Sequence, residues 1–182
     1  FEGYAHDPYS FGLNGSEPWR PISVFRTYEA HILQVRPWMP REIGDVIYVA
    51  FGMACLSCFM PFYQGLDQVP AAFGEGTDHA DDKSIYWKFR KLQTLAMTDF
   101  PTLAPIVQKK FAEHEAAMSE KQSSMEKEYT SLYATDKQAA HDLLQKFNLE
   151  VFEETEEVID GLMNELFTVL TTKIEKENFF AN

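Results

Sequence analysis

Three charged residues interrupt an otherwise apolar segment, and they are the first candidates for chemistry. Arg26, Glu29 and His31 lie within residues 24–32, where the remaining side chains are mostly apolar, aromatic or β-branched. Charged groups in such a segment have to be paired, exposed or functional, because burying an unpaired charge is costly. We therefore treat these three as candidate site residues, although a solvent-exposed polar face is the commoner explanation.

Cys55 and Cys58 have the CxxC spacing, which would supply half of a zinc site or a redox pair. No second CxxC and no pair of histidines at ligand spacing accompanies them. The motif lies inside an apolar run rather than at the start of a helix, where a thiolate would be stabilised. We expect both cysteines to lie in the core, and so few cysteines are compatible with a reducing compartment.

The densest group of oxygen and nitrogen ligands is formed by Asp78, His79, Asp81 and Asp82. Their spacing does not match the twelve-residue calcium loop, which needs a central Gly and a terminal Glu. A solvated acidic loop is the interpretation that we favour, and a metal-dependent hydrolase using this loop is a weaker alternative. We expect no metal site and no cofactor.

The elements that have to position these residues are strands in the first half of the chain. Residues 23–36 are dense in β-branched and aromatic residues with alternating polarity, which predicts a strand with two distinct faces. Residues 45–51 and 54–63 are apolar runs typical of strands buried on both faces, with Gly52 as a turn or bulge between them. A polar loop follows over residues 65–83, a length that is usually functional or mobile.

Helices are predicted in the second half, over about residues 84–98, 101–133 and 136–177. The last two should form an antiparallel hairpin, because each has one apolar stripe and one charged face. We therefore expect an α+β fold, with a strand-rich part in residues 1–83 and a helical part in residues 84–182. Antiparallel strands come first and a long helical hairpin follows.

Caps and stripes define these helices more closely. Ser84 is a plausible N-cap of the first helix, and Thr135 or Asp136 of the third. The predicted stripes are, on the second helix, Val107, Phe111, His114, Met118, Met125, Tyr129 and Leu132, and on the third, Ala139, Leu143, Phe147, Val151, Val158, Leu162, Leu166, Val169 and Lys173. His114 should be a satisfied interface histidine, because its neighbours on the stripe are apolar.

Charge limits the classes of partner. The chain has 182 residues and a net charge of -12, and from residue 100 onward sixteen acidic residues face eight lysines and no arginine. Such a chain has no basic stripe for phosphates and would be repelled by an anionic membrane surface. We expect neither a nucleic acid nor a membrane as partner. Because the chain begins with Phe1 rather than Met, we also expect it to be part of a longer one.

A family resemblance is carried by three strings: WRPISVFRTYEAHILQVRPWMPREIGDVIYVAFG at residues 19–52, CLSCFMPFYQG at residues 55–65, and SIYWKFRKLQTLA at residues 84–96. Together they resemble the C-terminal part of the dipeptidase A family. These are cysteine dipeptidases of the N-terminal-nucleophile superfamily, related more distantly to penicillin V acylase and bile salt hydrolase. The resemblance covers roughly residues 7–170, and its most specific parts are RPIS, RTxExH and MPFYQG.

The resemblance implies acyl transfer by a Cys thiolate at the mature N-terminus, with the free α-amino group as its base. Cys55 and Cys58 lie inside the chain and do not match that nucleophile, so we expect this chain alone to be inactive. The related acylases have a late arginine that assists the nucleophile, and its counterpart here is Arg20 or Arg26. A guanidinium beside a thiol would lower the pKa of the thiol.

For fold and partners, the resemblance implies the C-terminal portion of a four-layer αββα sandwich, acting on a dipeptide substrate. Glu29 and His31 are candidates to contact that substrate. The partners implied are the missing N-terminal part of the same protein and further copies in a homo-oligomer, in the cytoplasm. The alternative is a self-sufficient helical-hairpin module for binding or assembly, without catalysis.

Overall fold

The structure, a computed structural model, describes residues 23–179 and opens with a three-stranded antiparallel sheet. The strands are β1 (Glu29–Val35), β2 (Asp45–Phe51) and β3 (Met60–Tyr63), in the order β1-β2-β3. A short helix, α1 (Arg41–Gly44), lies between the first two strands. Three longer helices follow: α2 (Ile85–Met97), α3 (Phe100–Tyr133) and α4 (Lys137–Phe179). The α+β class predicted from the sequence, with antiparallel strands before a long helical hairpin, is confirmed.

The first strand is shorter than predicted. Residues 23–28 do not continue β1, because the backbone N–H of Thr27 donates to the carbonyl of Val24 at 2.9 Å and closes a turn there. The Ser23 hydroxyl accepts a hydrogen bond from the backbone N–H of Cys55 at 2.9 Å, which holds this turn against the segment after β2. The β-branched and aromatic residues of this stretch therefore pack in a turn and do not pair in a strand, because strand preference depends on the tertiary context.

The predicted strand over residues 54–63 is also only partly a strand. Ala54–Leu56 form a short 3-10 turn, and β3 begins at Met60. The chain turns at Gly52, whose φ of 70° favours glycine. Gln93 of α2 holds this turn: its Oε1 accepts from the N–H of Met53 at 3.0 Å, and its Nε2 donates to the carbonyls of Phe51 and Leu56.

The helix caps settle the alternative that the sequence left open at α4. Asp136, not Thr135, caps α4, since its carboxylate accepts from the N–H of Ala139 at 3.0 Å. At α2, Ser84 is the N-cap residue, as predicted, but its hydroxyl makes no capping hydrogen bond. The Asp81 carboxylate accepts from the N–H groups of Lys83 and Ser84 at 2.8 and 2.7 Å, which holds the turn that leads into α2.

The helices form a layer on one face of the sheet. α3 and α4 run antiparallel, as two contacts between side chains show. Far from the connection of the helices, Lys173 pairs with Asp99, and nearer to it His114 contacts Thr155. Aromatic rings join β3 and α4, with ring centroids 4.9 Å apart for Phe62 and Phe152. Among residues 23–179, no helix is long and apolar enough to cross a membrane.

Most of the predicted stripe on α3 is buried, but the stripe on α4 was placed partly off the buried face. The buried α4 positions are Ala140, Leu144, Phe147, Asn148, Val151, Phe152, Thr155, Ile159, Leu162 and Leu166. Ala139, Leu143 and Val158 are half-buried neighbours, and Lys173 is exposed. The error has a physical cause: two polar residues, Asn148 and Thr155, complete the buried face, so apolar periodicity alone could not trace it.

The sheet is not buried on both faces, contrary to the prediction for β2. Val46 and Ala50 are buried under the helices, whereas Ile47 on the opposite face is 44% exposed. On β1, Leu33 and Val35 are 64% and 68% exposed. The outward face of these strands is therefore apolar, and the described part of the chain leaves it partly uncovered.

Candidate functional site

The predicted site residues lie at and just before the start of β1. Glu29 and His31 are two residues apart on one strand, so both side chains lie on the same face of the sheet, away from the helices. Arg26 is exposed in the turn before the strand. Arg20 lies outside the described residues.

Glu29 and His31 are brought together as a pair. His31 Nδ1 lies 3.1 Å from both carboxylate oxygens of Glu29, and the two side chains are 52% and 45% exposed. Within residues 23–179, Arg26 makes no hydrogen bond or ion pair with them. The structure thus shows a solvent-exposed Glu29–His31 pair, and Arg26 is exposed close to it in sequence.

The two cysteines do not form a nucleophilic site. Both are free thiols; Cys58 is fully buried and Cys55 is half-buried. Burial raises the pKa of both thiols, and for Cys58 the nearby Glu115 carboxylate raises it further. A thiolate is therefore disfavoured at both positions, in agreement with the prediction of core cysteines.

The acidic loop forms local structure rather than a ligand set. Asp81 holds the turn before α2, Asp82 pairs with Lys91, and His79 lies 3.7 Å from Asp78 at the surface. In the part of the chain that the structure describes, no three His, Cys, Asp or Glu side chains are grouped so that they could hold a metal ion.

A half-buried ion pair that sequence reasoning missed lies between the sheet and α3. Arg36, just after β1, makes two parallel hydrogen bonds of 2.8 Å to the carboxylate of Glu126, and it also donates to the carbonyl of Ile43 at 2.6 Å. The hydrogen bond to Glu126 raises the pKa of Arg36. Tyr63 of β3 donates to Glu126 at 2.6 Å, and burial raises the pKa of its hydroxyl.

Gln122 of α3 extends this ion pair into a chain of hydrogen bonds. Its amide nitrogen donates to the hydroxyls of Tyr63 at 2.7 Å and Tyr48 at 3.0 Å. The sequence does contain a signal for the role of Gln122. Gln122 lies on the apolar stripe of α3 between Met118 and Met125, so a polar side chain is buried there and needs hydrogen-bond partners.

His114 was predicted to be a satisfied interface histidine, and this is confirmed. It is 9% exposed, and its Nε2 lies 2.9 Å from the hydroxyl of Thr155 on α4. Burial lowers the pKa of its imidazole. His114 therefore joins the two long helices and does not face the exposed sheet.

Comparison with known proteins finds several dipeptidases of similar sequence. The chain is 59% identical over 66 residues to a probable dipeptidase of Salmonella dublin, which covers 36% of this chain and 15% of that protein. It is 34% identical over 89 residues to a probable dipeptidase B of Lactococcus lactis subsp. lactis, covering 48% of this chain and 19% of that protein. Dipeptidase A of Lactobacillus helveticus is 28% identical over 182 aligned residues, covering 94% of this chain and 37% of that protein.

The chain thus spans between 15% and 37% of the length of these relatives. The sequence model of peptidase family C69 matches residues 1–113, more than half of the chain, including the strands and the Glu29–His31 pair. The resemblance on which the candidate residues were chosen is therefore confirmed, and the chain belongs to peptidase family C69.

Proposed function

We propose that this chain is part of a longer cysteine-type dipeptidase. The observation that carries the proposal is the match of residues 1–113 to a peptidase family, together with an alignment to dipeptidase A of Lactobacillus helveticus over 94% of the chain. That relative and the other two are longer than this chain. The remainder of such a protein would carry the parts of the catalytic domain that are outside these 182 residues.

The nucleophile in this proposal is an N-terminal cysteine outside the present sequence, not Cys55 or Cys58. Its thiolate attacks the peptide carbonyl, the α-amino group takes the thiol proton and passes it to the leaving amine, and water then hydrolyses the thioester. The raised pKa values of Cys55 and Cys58 support this assignment, because neither thiol is disposed to ionise. The chain alone would have no turnover.

Glu29 and His31 are proposed to contact the dipeptide, and Arg20 or Arg26 to stabilise the thiolate. A dipeptide is a zwitterion, so its ammonium group is suited to a carboxylate and its carboxylate to a cation. The exposure of the Glu29–His31 pair and of Arg26 supports these roles, since all three side chains remain accessible from solvent. Guanidinium and thiolate attract each other, which would lower the pKa of the nucleophile.

The open sheet supports the proposed partners. The outward face of β1 and β2 exposes Leu33, Val35 and Ile47, and β1 has no neighbouring strand on its outer side within residues 23–179. Exposed apolar strands at a sheet edge are a template for further pairing. We propose that the rest of the protein covers this surface as the second sheet of an αββα sandwich, and that the complete domains form homo-oligomers. Two free thiols fit a reducing compartment such as the cytoplasm.

The test is hydrolysis of unmodified dipeptides by the intact protein, measured as release of free amino acids. The expected result is turnover by the wild type and by the Cys55→Ser and Cys58→Ser variants, and its loss when the N-terminal cysteine is replaced by serine. Turnover that survives removal of that cysteine but not of Cys55 or Cys58 would overturn the assignment of the nucleophile. No dipeptide hydrolysis at all would favour the alternative of a non-catalytic helical module.

The same assay tests the substrate contact. Glu29→Gln should raise KM by about tenfold with a smaller change in kcat, which corresponds to about 1.4 kcal/mol of lost binding. Asp45→Asn is the matched control, because Asp45 is also exposed and lies on the same face of the sheet. Equal effects of the two substitutions would show a general charge effect and contradict a specific contact.

A further inference from the structure

A groove between the sheet and α3 has properties that the proposed peptidase site does not use. It has a volume of about 410 Å³, within the usual range for small-molecule sites. Its lining comes from β1, β2, the start of β3 and α3: Ile32, Gln34, Tyr48, Phe59, Pro61, Glu115, Met118, Ser119 and Gln122. It lies on the helix-covered side of the sheet, opposite to the face that carries Glu29 and His31.

The charge of the groove is purely negative. Glu115 is the one charged residue in the lining, and no lysine, arginine or histidine accompanies it. One of its carboxylate oxygens, Oε1, accepts a hydrogen bond of 2.7 Å from the backbone N–H of Phe59, which fixes the side chain. Within residues 23–179, Glu115 has no cationic partner. A positioned carboxylate without a counter-ion favours a cationic ligand.

The neutral polar groups of the groove include both acceptors and donors, and the donors are the side-chain amide nitrogen of Gln34 and the hydroxyl of Ser119. Gln122, which is 8% exposed, uses its amide nitrogen for the hydroxyls of Tyr48 and Tyr63, so its carbonyl oxygen remains as an acceptor. Tyr48 in turn directs its own hydrogen toward the side-chain oxygen of Gln34 at 3.4 Å. The negative charge of Glu115, and not a shortage of donors, therefore favours a cationic ligand in this groove.

The remaining walls are apolar or aromatic. Ile32, Met118 and Pro61 can pack against a short hydrocarbon chain, and Tyr48 and Phe59 complete the wall. We propose that this groove binds a small primary amine, with its ammonium group at Glu115 and its alkyl part against Ile32 and Met118. An ammonium group supplies the positive charge that Glu115 lacks as a partner, together with donors for the carboxylate oxygens.

The inference does not rest on the proposed dipeptidase activity, because it uses a different face of the sheet and no catalytic residue. The same chemistry could be satisfied by a free amine or by a lysine side chain from elsewhere in the intact protein. We assign a free small amine, since the groove is open and no lysine of the described residues reaches it.

The experiment is a titration of the intact protein with n-butylammonium chloride, followed by NMR of methyl-13C-methionine. The Met118 methyl signal, identified by its loss in Met118→Leu, reports on the groove because Met118 lines it. Sodium butyrate and 1-butanol have the same chain length and serve as probes without the positive charge. We expect a saturable shift with butylammonium, at about millimolar affinity because the ligand is small, and no saturable shift with the other two.

Glu115→Gln should weaken butylammonium binding at least tenfold. The substitution keeps a side-chain oxygen that can accept from the N–H of Phe59, so the local fold is retained. Glu113→Gln is the matched control, with the same loss of charge on an exposed residue of α3 outside the groove, and it should leave the affinity unchanged.

Three results would overturn the inference. They are equal shifts with butyrate or butanol, equal effects of Glu113→Gln and Glu115→Gln, and the absence of any saturable shift in the intact protein. The last would show that the groove is closed or filled by a lysine. Dipeptide hydrolysis is measured separately, so failure of the amine site and failure of the proposed activity are distinguishable.

Discussion

Gly52 and Gln93 meet at the turn that ends β2, and each depends on the other. Gln93 is fully buried and bonds to backbone groups on both sides of the turn. Gly52 makes this approach possible, because a Cβ at its position would lie 2.2 Å from Gln93 Oε1. The apolar sequence after Gly52 predicts strand pairing. At the scale of single residues, the backbone there bonds instead to the buried side-chain amide of Gln93.

Gly52→Ala should therefore destabilise the protein by about 2 kcal/mol or more, since it adds both a steric clash and an unfavourable φ. Gly161→Ala is the matched control: a Cβ there meets nothing within 4 Å and the residue is inside α4. It should stabilise by about 0.5–1 kcal/mol through helix propensity. Urea unfolding measures both, and a neutral Gly52→Ala would contradict the described turn.

At the scale of elements, a cluster of polar groups fastens the start of α4 to the sheet. His141 Nε2 lies 2.9 Å from Asp67, in the loop after β3, and its Nδ1 lies 3.6 Å from Glu42 of α1. Tyr129 of α3 donates to the same Glu42 carboxylate. Gln145, one turn further along α4, donates to the carbonyl of Gly65 at 2.8 Å. Four elements are joined here by side chains that are far apart in the sequence.

This cluster predicts a dependence of stability on pH. The hydrogen bond to Asp67 raises the pKa of His141, and Glu42 adds to this effect. A histidine whose pKa is higher in the folded state than in the unfolded state stabilises the fold at low pH. That contribution is complete below the unfolded value of about 6.5 and is lost as the pH rises through the higher folded value.

The measurement is the free energy of unfolding of wild type and His141→Gln between pH 5 and pH 9. The difference between them should be largest at the acidic end and should shrink toward pH 9. His79→Gln, at an exposed histidine in the acidic loop, is the control. Using differences between variants removes the opposite contribution of His114, whose pKa is lowered by burial. A difference that stays constant with pH would contradict the proposed ion pairs.

The helices were easier to predict than the strands because they are longer. α3 and α4 are long, so many turns repeat the same apolar and charged positions and the period is clear. The segments around β1 and β3 are short, and a few apolar residues fit a strand, a turn or a 3-10 turn equally well. Residues 23–28 form a turn, and residues 54–56 form a 3-10 turn. The Ser23 hydroxyl bonds to the backbone of Cys55, and the Gln93 amide bonds to the carbonyl of Leu56.

At the scale of the whole molecule, β1 is the least covered element of the sheet. Its pairing with β2 fixes which backbone groups remain free. Hydrogen bonds from Gly52 to Tyr28 and from Arg36 to Gly44 show that the even-numbered residues of this segment bond to β2. The odd-numbered residues His31, Leu33 and Val35 therefore direct their N–H and C=O groups to the outer edge.

Hydrogen exchange of the intact protein tests whether the rest of the protein pairs with this edge. We expect the amides of His31, Leu33 and Val35 to be as well protected as those of Ile32 and Gln34, which already bond to β2. The inward amides are an internal control in the same sample. Protection of Ile32 and Gln34 alone would show that the outer edge stays open and would contradict a strand partner there.

The sequence by itself determined the fold class, the helical hairpin, the family and the core position of the two cysteines, because these depend on composition, on periodicity and on short motifs. The candidate residues Glu29 and His31 were also found in the sequence, and the structure placed them side by side on one face of β1. Arg26 was found as well, but its role and that of Arg20 stay predictions.

Only the tertiary structure decided the polar interior. The ion pair of Arg36 with Glu126 spans 90 residues, and the bond from Gln122 to Tyr48 spans 74. Such contacts depend on how α3 lies across the sheet, and local sequence patterns do not contain that orientation. The groove at Glu115 arises from the same crossing, so no sequence motif predicts it.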